Sequence, residues 1–333
     1  MEGFFMGQRY VRQKLKALGA FLLILVLLPY VVSVFVNGAD IKAGTEMEGT
    51  YVRVKIRAGE EETVKDVPWS EYFLGVLAKE MPETYEEEAL KAQAVLVRTK
   101  LYQALESEEE PVLSEEWLTG EELKKKWDAD DYTKYYEKYA KAVTETGNQV
   151  LFYNDTYAFT PFHKSSNGSV RNAQEVLGSG DYPYLVQKKC PLDKEAEDEM
   201  QVHTFTYQEI QEKCRDFLVA EEKETAQKGY EFSDFEIQAY DSAGYVQTLR
   251  IGSTICTGDQ FRDALSLPSS AFSLKDSDGK LKITTTGKGH GLGMSQWTAN
   301  EMAKEGKTYE EILSYFFEGT NLTDGGEIFS KLE

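Results

Sequence analysis

The 333-residue sequence has little cysteine, little histidine and no excess of positive charge. Its three cysteines, Cys190, Cys214 and Cys256, show no Cys-x-x-Cys spacing and no grouping with the three histidines, so no zinc-ligand pattern is visible. One disulfide with a free thiol and three buried thiols both fit this number. The formal net charge of −20 argues against nucleic-acid binding, because nucleic-acid-binding proteins present a basic face to the phosphates.

Long apolar runs are also missing, with one exception near the N-terminus. Residues 17–36 carry no charged side chain, and a run of about 20 apolar residues is long enough to cross a bilayer as a helix. Four basic residues precede it, and such residues stay on the cytoplasmic side. We therefore expect a cytoplasmic segment 1–16, a single-pass transmembrane helix 17–36 and an extracytoplasmic domain 37–333. A cleaved signal peptide is the alternative.

The rest of the chain mixes helical and strand patterns without the βαβ order of a parallel sheet. We expect an α+β fold, with mixed helices and antiparallel strands in a two-lobed ectodomain with a cleft, preceded by the transmembrane helix. Alternating residues predict a strand over 52–57, and a helix after Pro68 should end at Glu80, before Met81-Pro82. Further predictions are a helix at 85–102, strands around a turn within 149–162, a hairpin at 235–251, a short helix at 261–267, a strand at 281–285, helices from 296 and after Thr308, and charged helical insertions at about 105–147 and 190–230.

The segment 288–297 reads Lys-Gly-His-Gly-Leu-Gly-Met-Ser-Gln-Trp, so three glycines surround His290. Glycine allows the backbone to turn sharply and to approach another element closely. Ser295 is a natural N-cap for a helix that begins at Gln296. We interpret this segment as one wall of a polar binding site, and a tight turn with a solvated histidine is the alternative.

Glu80 is the candidate general acid. It ends a predicted helix, where the macrodipole disfavours a carboxylate, and apolar residues flank it. Both effects raise the pKa of a carboxyl group, and a partly protonated carboxyl near neutral pH is what general acid catalysis requires. A helix-end glutamate facing water is the alternative. Cys256 and His290 could also form a thiol–imidazole pair, against which stands a buried structural cysteine.

Four segments of the chain resemble the stage II sporulation protein D family. They are residues 69–100, which contain Ala-Lys-Glu-Met-Pro, 162–178, 261–272 and 287–320, which contain Gly-His-Gly-Leu-Gly-Met-Ser-Gln-Trp. They follow one another in the family's order across residues 65–321. The expected N-terminal membrane segment agrees with the sporulation branch rather than with the related amidase-enhancer branch.

The resemblance implies a peptidoglycan lytic transglycosylase, without a cofactor, that cuts peptide-stripped glycan between N-acetylmuramic acid (MurNAc) and N-acetylglucosamine (GlcNAc). The muramic C6 hydroxyl attacks its own anomeric carbon and leaves a 1,6-anhydro ring. Glu80 stands where the family has its catalytic acid and base. Because the nucleophile belongs to the substrate, the second carboxylate of ordinary glycosidases is not needed. The residues expected to bind or to surround the sugar are Arg98, His163, Ser166, His290, Ser295 and Gln296, with Gly289 and Gly291 shaping the wall and Trp297 or Tyr72 as the aromatic.

The resemblance also implies a setting and partners. The expected setting is the engulfing septal membrane during sporulation, and the expected partners are stage II sporulation proteins P, an amidase, and M. Some family members bind zinc through cysteine and histidine after the position of His163; because no cysteine lies near Ser169, we predict no metal. The main alternative function is a non-catalytic module that binds wall glycan and activates an amidase.

Overall fold

The computed structural model describes residues 49–58, 61–107, 110–218, 229–326 and 328. All of them belong to one structural unit, Ala43–Glu333. The segments expected at 1–16 and 17–36 lie outside these residues and stay predictions. No helix in the described ranges is both long and apolar enough to cross a membrane.

The strands and helices confirm the α+β class, and the two-lobed division stays a prediction. The strands are β1 (Tyr51–Ala58), β2 (Glu61–Pro68), β3 (Gln149–Tyr153), β4 (Thr156–Tyr157), β5 (Phe162–His163), β6 (Ser169–Val170), β7 (Lys188–Lys189), β8 (Met200–Thr206), β9 (Phe235–Tyr240), β10 (Val246–Ile251), β11 (Thr254–Cys256), β12 (Phe272–Ser277), β13 (Lys280–Thr286), β14 (Met294–Ser295) and β15 (Asn321–Asp324). The helices are α1 (Trp69–Glu80), α2 (Glu87–Ser107), α3 (Gly120–Lys126), α4 (Ala129–Glu145), α5 (Ala173–Leu177), α6 (Tyr207–Cys214), α7 (Gly258–Leu265), α8 (Gln296–Lys304) and α9 (Tyr309–Phe316), with 3₁₀ turns at Pro191–Glu195 and Phe232–Asp234.

The strands form small antiparallel sheets. Their orders are β1-β2, β15-β3-β4, β6-β7, β11-β10-β9 and β12-β13-β8. The short pair β14-β5 is parallel instead, with Met294 opposite Phe162 and Ser295 opposite His163. This pairing brings the glycine-rich loop against the polar loop that follows β5.

Helix α2 is the centre of the larger apolar core. It packs against α1, α4, α8, α9 and strand β3. Ala89, Ala92 and Ala94 are completely buried along it, and such small side chains let neighbouring backbones come close. A second apolar cluster, around Leu249, Phe261 and Ile283, is separate from this core.

Helix α1 carries Glu80 to the edge of the larger core, with the bounds that the sequence predicts. From Tyr72 to Ala78 every residue is buried. The helix is therefore stabilised by packing on all of its sides and not by a single apolar face. Met81 leaves the helical conformation at φ −125° and ψ 138°, while its N–H still donates to the carbonyl of Leu77. The proline that follows cannot continue the helix. Glu80 is therefore the last residue held by helical geometry.

Both charged insertions differ from the expectation of surface helices. Residues 105–147 contain α3 and α4, and Trp127 and Tyr139 from this segment are buried in the larger core. The Tyr139 hydroxyl donates to the carbonyl of Met81 over 2.6 Å. Within 190–230 the strand β8 pairs with β13, because the β-branched and aromatic residues of Val202–Thr206 favour a strand more than the surrounding charges favour a helix.

Candidate functional site

Glu80 lines two cavities. The larger cleft has a volume of about 480 Å³ and the smaller cavity about 360 Å³, and Glu80 lines both. The other residues of the larger cleft are Lys79, Met81, Pro82, Glu83, Thr84, Tyr85, Lys126, Lys164, Ser165, Ala196, Glu197, Lys288, Gln296 and Trp297. The other residues of the smaller cavity are Lys100, Gln103, Phe159, Thr160, Pro161, Phe162 and His290.

The pKa of the Glu80 carboxyl lies above its ordinary value. Burial at the end of α1 is the main cause, and the negative charge of Glu115 adds to it, whereas Lys100 acts in the opposite direction. The direction agrees with the sequence prediction, although burial rather than the helix dipole is the leading cause. Glu80 can therefore hold a proton at a pH where an ordinary glutamate has lost it.

Gln296 connects three helices at this point. Its side-chain amide donates to the main-chain carbonyl of Glu80 over 3.0 Å and to the side-chain oxygen of Gln93 over 3.1 Å. Gln296 begins α8, Gln93 lies on α2 and Glu80 ends α1, so this one side chain fixes the position of the catalytic candidate. Gln296 lines the larger cleft, but its amide is directed to protein atoms, and its contact with sugar stays a prediction.

The glycine-rich loop lies against the loop that contains β5. Gly287, Gly289, Gly291 and Gly293 all have positive φ angles, between 68° and 122°. A Cβ atom on Gly289 would stand 2.5 Å from the Cβ of His163, and one on Gly293 would stand 1.9 Å from the carbonyl oxygen of Pro161. The structure thus shows the close backbone approach that the glycines predict.

His163 and His290 face each other at the base of this loop, with ring centroids 5.7 Å apart. Leu292 contacts both: its carbonyl lies 3.1 Å from Nδ1 of His163, and its N–H donates to Nδ1 of His290 over 3.0 Å. His163 must therefore carry its proton on Nδ1, and neutral His290 must carry its proton on Nε2. Burial lowers the pKa of His163 to about 4 and that of His290 to about 3, so both rings are neutral at ordinary pH.

Ser166 and Ser295, both expected to bind sugar, are instead buried around Asp193. The hydroxyl of Ser295 donates to Asp193 Oδ1 over 2.8 Å, and the backbone N–H of Ser166 donates to Oδ2 over 2.6 Å. Thr298 adds a third hydrogen bond to this carboxylate. Ser295 is also the N-cap of α8, as predicted, because it accepts from the N–H of Thr298. These contacts hold the two loops together behind the cleft.

Arg98 and Tyr72 lie inside the protein and line neither of the two cavities. The Arg98 guanidinium donates to the carbonyl of Gln149 over 3.0 Å and to the hydroxyl of Thr146 over 3.1 Å. The Tyr72 ring packs edge-on against Trp117. Their contacts assign both residues to helix packing. Of the two aromatic residues considered from the sequence, Trp297 is the one in the larger cleft.

Cys256 is buried among apolar side chains of the second cluster, next to Cys214. Burial raises the pKa of its thiol to about 11, so the nucleophilic thiolate is disfavoured. His290 lines the smaller cavity, to which Cys256 does not contribute. These surroundings are typical of a buried structural cysteine, and they argue against a catalytic pair of Cys256 and His290.

Comparison with known proteins identifies the family. The family model described as "SpoIID: Stage II sporulation protein" matches residues 57–153. Stage II sporulation protein D of Bacillus subtilis (strain 168) is 31% identical over 87% of this chain and 84% of its own length. The chain belongs to the stage II sporulation protein D family. A second relative, stage II sporulation protein D of Bacillus amyloliquefaciens, is 30% identical over 84% of the chain and 81% of its own length.

A more distant relative bears a name that refers to an amidase. The protein called "Amidase enhancer" in Bacillus subtilis (strain 168) is 24% identical over 75% of this chain and 40% of its own length. The family model and the two stage II sporulation protein D relatives confirm the resemblance deduced from the motifs at the level of the family.

Several residues that build this family member's site were not identified from the sequence. Asp193 stands in a charge-rich segment that gives no sign of a buried carboxylate. Arg171 donates through its backbone N–H to Gly291 and through its side chain to the carbonyl of His290, and it pairs with Asp241 at 2.6 Å. Gln93 did leave a signal, because a polar residue inside an apolar helix requires a partner.

The sequence predicts no metal site in this protein. Within the part of the chain that the structure describes, no three or more His, Cys, Asp or Glu side chains are grouped so that they could hold a metal ion. Cys190, the thiol nearest in sequence to the loop, is buried, and burial raises its pKa to about 12. It packs beside Asp193, Ser166 and Thr298.

Proposed function

We propose that this protein is a peptidoglycan lytic transglycosylase with Glu80 as its only acid and base. One observation supports this most directly: Glu80, whose carboxyl group has a raised pKa, lines both cavities, so a glycan strand that occupies them would have its scissile bond beside Glu80. The nearest neighbouring carboxylate in sequence, Glu83, accepts from the indole of Trp127 and pairs with Lys126. These contacts give Glu83 a structural role, and a lytic transglycosylase has no need of a second catalytic carboxylate.

The reaction takes place without water. Protonated Glu80 donates its proton to the glycosidic oxygen, and the bond from this oxygen to the muramic anomeric carbon breaks. The muramic C6 hydroxyl then attacks that carbon, and the Glu80 carboxylate accepts the hydroxyl proton. The products are a 1,6-anhydro-muramic end and a new GlcNAc end, and Glu80 is again protonated. Its partly buried position favours the neutral form needed for the first step.

An amidase-activating module that binds glycan without cutting it is the second candidate. It is supported by the likeness to the relative named "Amidase enhancer". Both candidates use the same cavities, and they differ in whether Glu80 performs chemistry. We further propose that the protein acts at the engulfing septal membrane, anchored by residues 17–36, with stage II sporulation proteins P and M as partners.

The first test is the reaction itself. Full-length wild-type protein, Glu80→Gln and the control Glu121→Gln, an exposed glutamate on α3, are incubated with peptide-free glycan strands, and the products are identified by mass spectrometry. We expect anhydro-muramic ends from wild type and Glu121→Gln, and a loss of at least about a hundred-fold with Glu80→Gln, in line with removal of a general acid.

Each other outcome decides against part of the proposal. Equal products from wild type and Glu80→Gln would retain the reaction and remove Glu80 from it. Glycan binding without any product from wild type would favour the amidase-activating module.

A further inference from the structure

Two lysines and a serine, close together in the fold, line one wall of the larger cleft. Ser165 and Lys288 form an isolated antiparallel bridge, in which the N–H of Lys288 donates to the carbonyl of Ser165 over 2.8 Å and the reverse bond measures 3.2 Å. Residues that exchange two hydrogen bonds in this way point their side chains to one face. Lys164 is adjacent in sequence, and its carbonyl accepts from the N–H of Trp297. All three residues line the cleft.

The two lysines of this wall carry positive charge that the protein does not neutralise closely. Lys164 makes no ion pair with any residue that the structure describes. Lys288 approaches Asp198 only at 3.8 Å, and the Asp198 side chain is 74% exposed. The other two lysines of the cleft differ, since Lys79 pairs with Glu116 at 3.2 Å and Lys126 pairs with Glu83 at 3.1 Å.

Ser165 adds an unused hydrogen-bonding group at the same place. The residue is 2% exposed, and its hydroxyl has no hydrogen-bond partner among the described residues. Buried hydroxyl groups are almost always paired, because an unpaired one costs free energy. A ligand oxygen on this wall would satisfy the hydroxyl and neutralise the lysines together.

The smaller cavity, which Glu80 also lines, has a different character. Phe159 and Phe162 line it, and its lysine, Lys100, is paired with Glu115 at 2.7 Å. A neutral sugar suits this lining better than an acidic one. The two cavities therefore differ in the charge of the sugar that suits each of them.

We infer that Lys164, Ser165 and Lys288 form a carboxylate subsite that holds the lactyl carboxylate of MurNAc. The larger cleft then takes the acidic sugar and the smaller cavity takes GlcNAc, which fixes the polarity of the strand across Glu80. The subsite also selects strands whose lactyl carboxyl is free, because an amide-linked stem peptide removes that charge. This inference rests on the proposed function for the identity of the sugar.

A binding measurement tests the subsite without requiring cleavage. Fluorescently labelled peptide-free strands are compared with the same strands after their lactyl carboxyls have been converted to methylamides. Full-length Glu80→Gln protein serves as the background, so that no strand is cut. We expect it to bind free-carboxyl strands about ten-fold more tightly than amidated ones, as charge-assisted hydrogen bonds allow.

The variants then locate the preference. Lys164→Gln with Lys288→Gln in the same background should bring the ratio of the two dissociation constants close to one. Ser165→Ala should lower the ratio without lowering the melting temperature, since its hydroxyl stabilises nothing in the described protein. The control Lys307→Gln, which removes an exposed lysine of an ion pair with Glu311, should leave the ratio as it was.

The opposite results overturn the inference. A preference that survives the double lysine variant would exclude these residues as its source. Peptide-bearing strands provide a further comparison. If they bind as tightly as peptide-free strands and lose as much affinity in the double variant, the lysines bind the carboxylates of the stem peptide instead. If wild-type protein cuts both strand types equally, the carboxylate subsite is excluded and the proposed enzyme activity is retained. If the protein prefers free-carboxyl strands in binding but wild type cuts neither strand type, the subsite is retained and the proposed enzyme activity is excluded.

Discussion

At the scale of single residues, a neighbouring ion pair influences the pKa of Glu80. Lys100 and Glu115 are 2.7 Å apart, and they act on the pKa of Glu80 in opposite directions. Burial of Glu80 supplies the upward shift that remains. The position of this pKa can therefore be moved either way by changing one neighbour.

The alkaline limb of the pH–rate profile should follow these two neighbours. Only protonated Glu80 can donate, so activity is lost as the pH rises through its pKa. Lys100→Gln removes a charge that lowers the pKa and should move the limb to higher pH, whereas Glu115→Gln should move it to lower pH. The measurement is kcat/KM for glycan cleavage against pH, which reports groups of the free enzyme. Limbs that coincide in both variants would show that Glu80 does not control the rate.

Single residues were predicted unevenly from the sequence. Glu80 could be found because its helix end and apolar neighbours are local in the chain. Ser166 and Ser295 were identified as polar loop residues, but their partner Asp193 lies in a distant segment, and only the folded chain shows that its carboxylate engages them. Arg98 was assigned to the sugar for the same reason: sequence shows a charge, whereas its acceptors on β3 and α4 come from the fold.

At the scale of elements, the glycine loop depends on close contact as well as on backbone conformation. Gly293 has φ 68°, and a Cβ there would stand 1.9 Å from the carbonyl oxygen of Pro161. Gly306, after α8, has φ 85° and nothing within 4 Å of such an atom. A non-glycine residue would be strained by the positive φ angle at both positions, but only at Gly293 would its Cβ also collide with a neighbouring element.

This difference gives a prediction with an internal control. Gly306→Ala should lower the free energy of unfolding by about 1 kcal/mol, the cost of a non-glycine residue at positive φ. Gly293→Ala should cost roughly 3 kcal/mol or more, because β14 must also move away from β5. Urea denaturation of both variants measures the two costs. Equal losses would mean that the loop can separate from Pro161 without penalty.

The elements that were predicted well carry their signals within a few residues. Helix α1 has proline at both ends, α9 has the capping box of Thr308 and Glu311, and the turn at Asn154-Asp155 has φ angles of 48° and 60° that these residue types tolerate. Strand β8 was missed because its partner β13 is distant in sequence and its neighbours are charged. The inner faces of α3 and α4 were missed because a few aromatic residues, Trp127 among them, decide their burial.

At the scale of the whole molecule, the positive wall of the larger cleft stands out against a chain with a net charge of −20. Exposed charges farther away than about 10 Å are largely screened at physiological salt. An anionic strand would thus be repelled weakly at long range and attracted at the cleft. The acidic surface favours solubility, and the proposed selection of the strand depends on the few lysines of the cleft.

The N-terminal region provides the prediction for the whole chain. Full-length protein should sediment with membranes after cell lysis, and a chain that begins at Ala43, where the described unit starts, should remain in the supernatant. Residues 17–36 are apolar enough to span a bilayer, which is the reason for this expectation. External protease should degrade the membrane-bound form in spheroplasts. A soluble full-length protein shortened by these residues would support the cleaved signal peptide instead.

Leu292 gives the cavity wall a hydrogen-bonding direction that does not change with acidity. Its single peptide unit fixes the protons of His163 and His290, and their pKa values of about 4 and about 3 keep both rings uncharged. One imidazole consequently offers only an acceptor at Nε2 and the other only a donor. The acceptor, Nε2 of His163, is buried and has no partner among the described residues, whereas His290 lines the smaller cavity. A ligand in this cavity therefore meets an imidazole that can donate a hydrogen bond and that carries no charge near neutral pH.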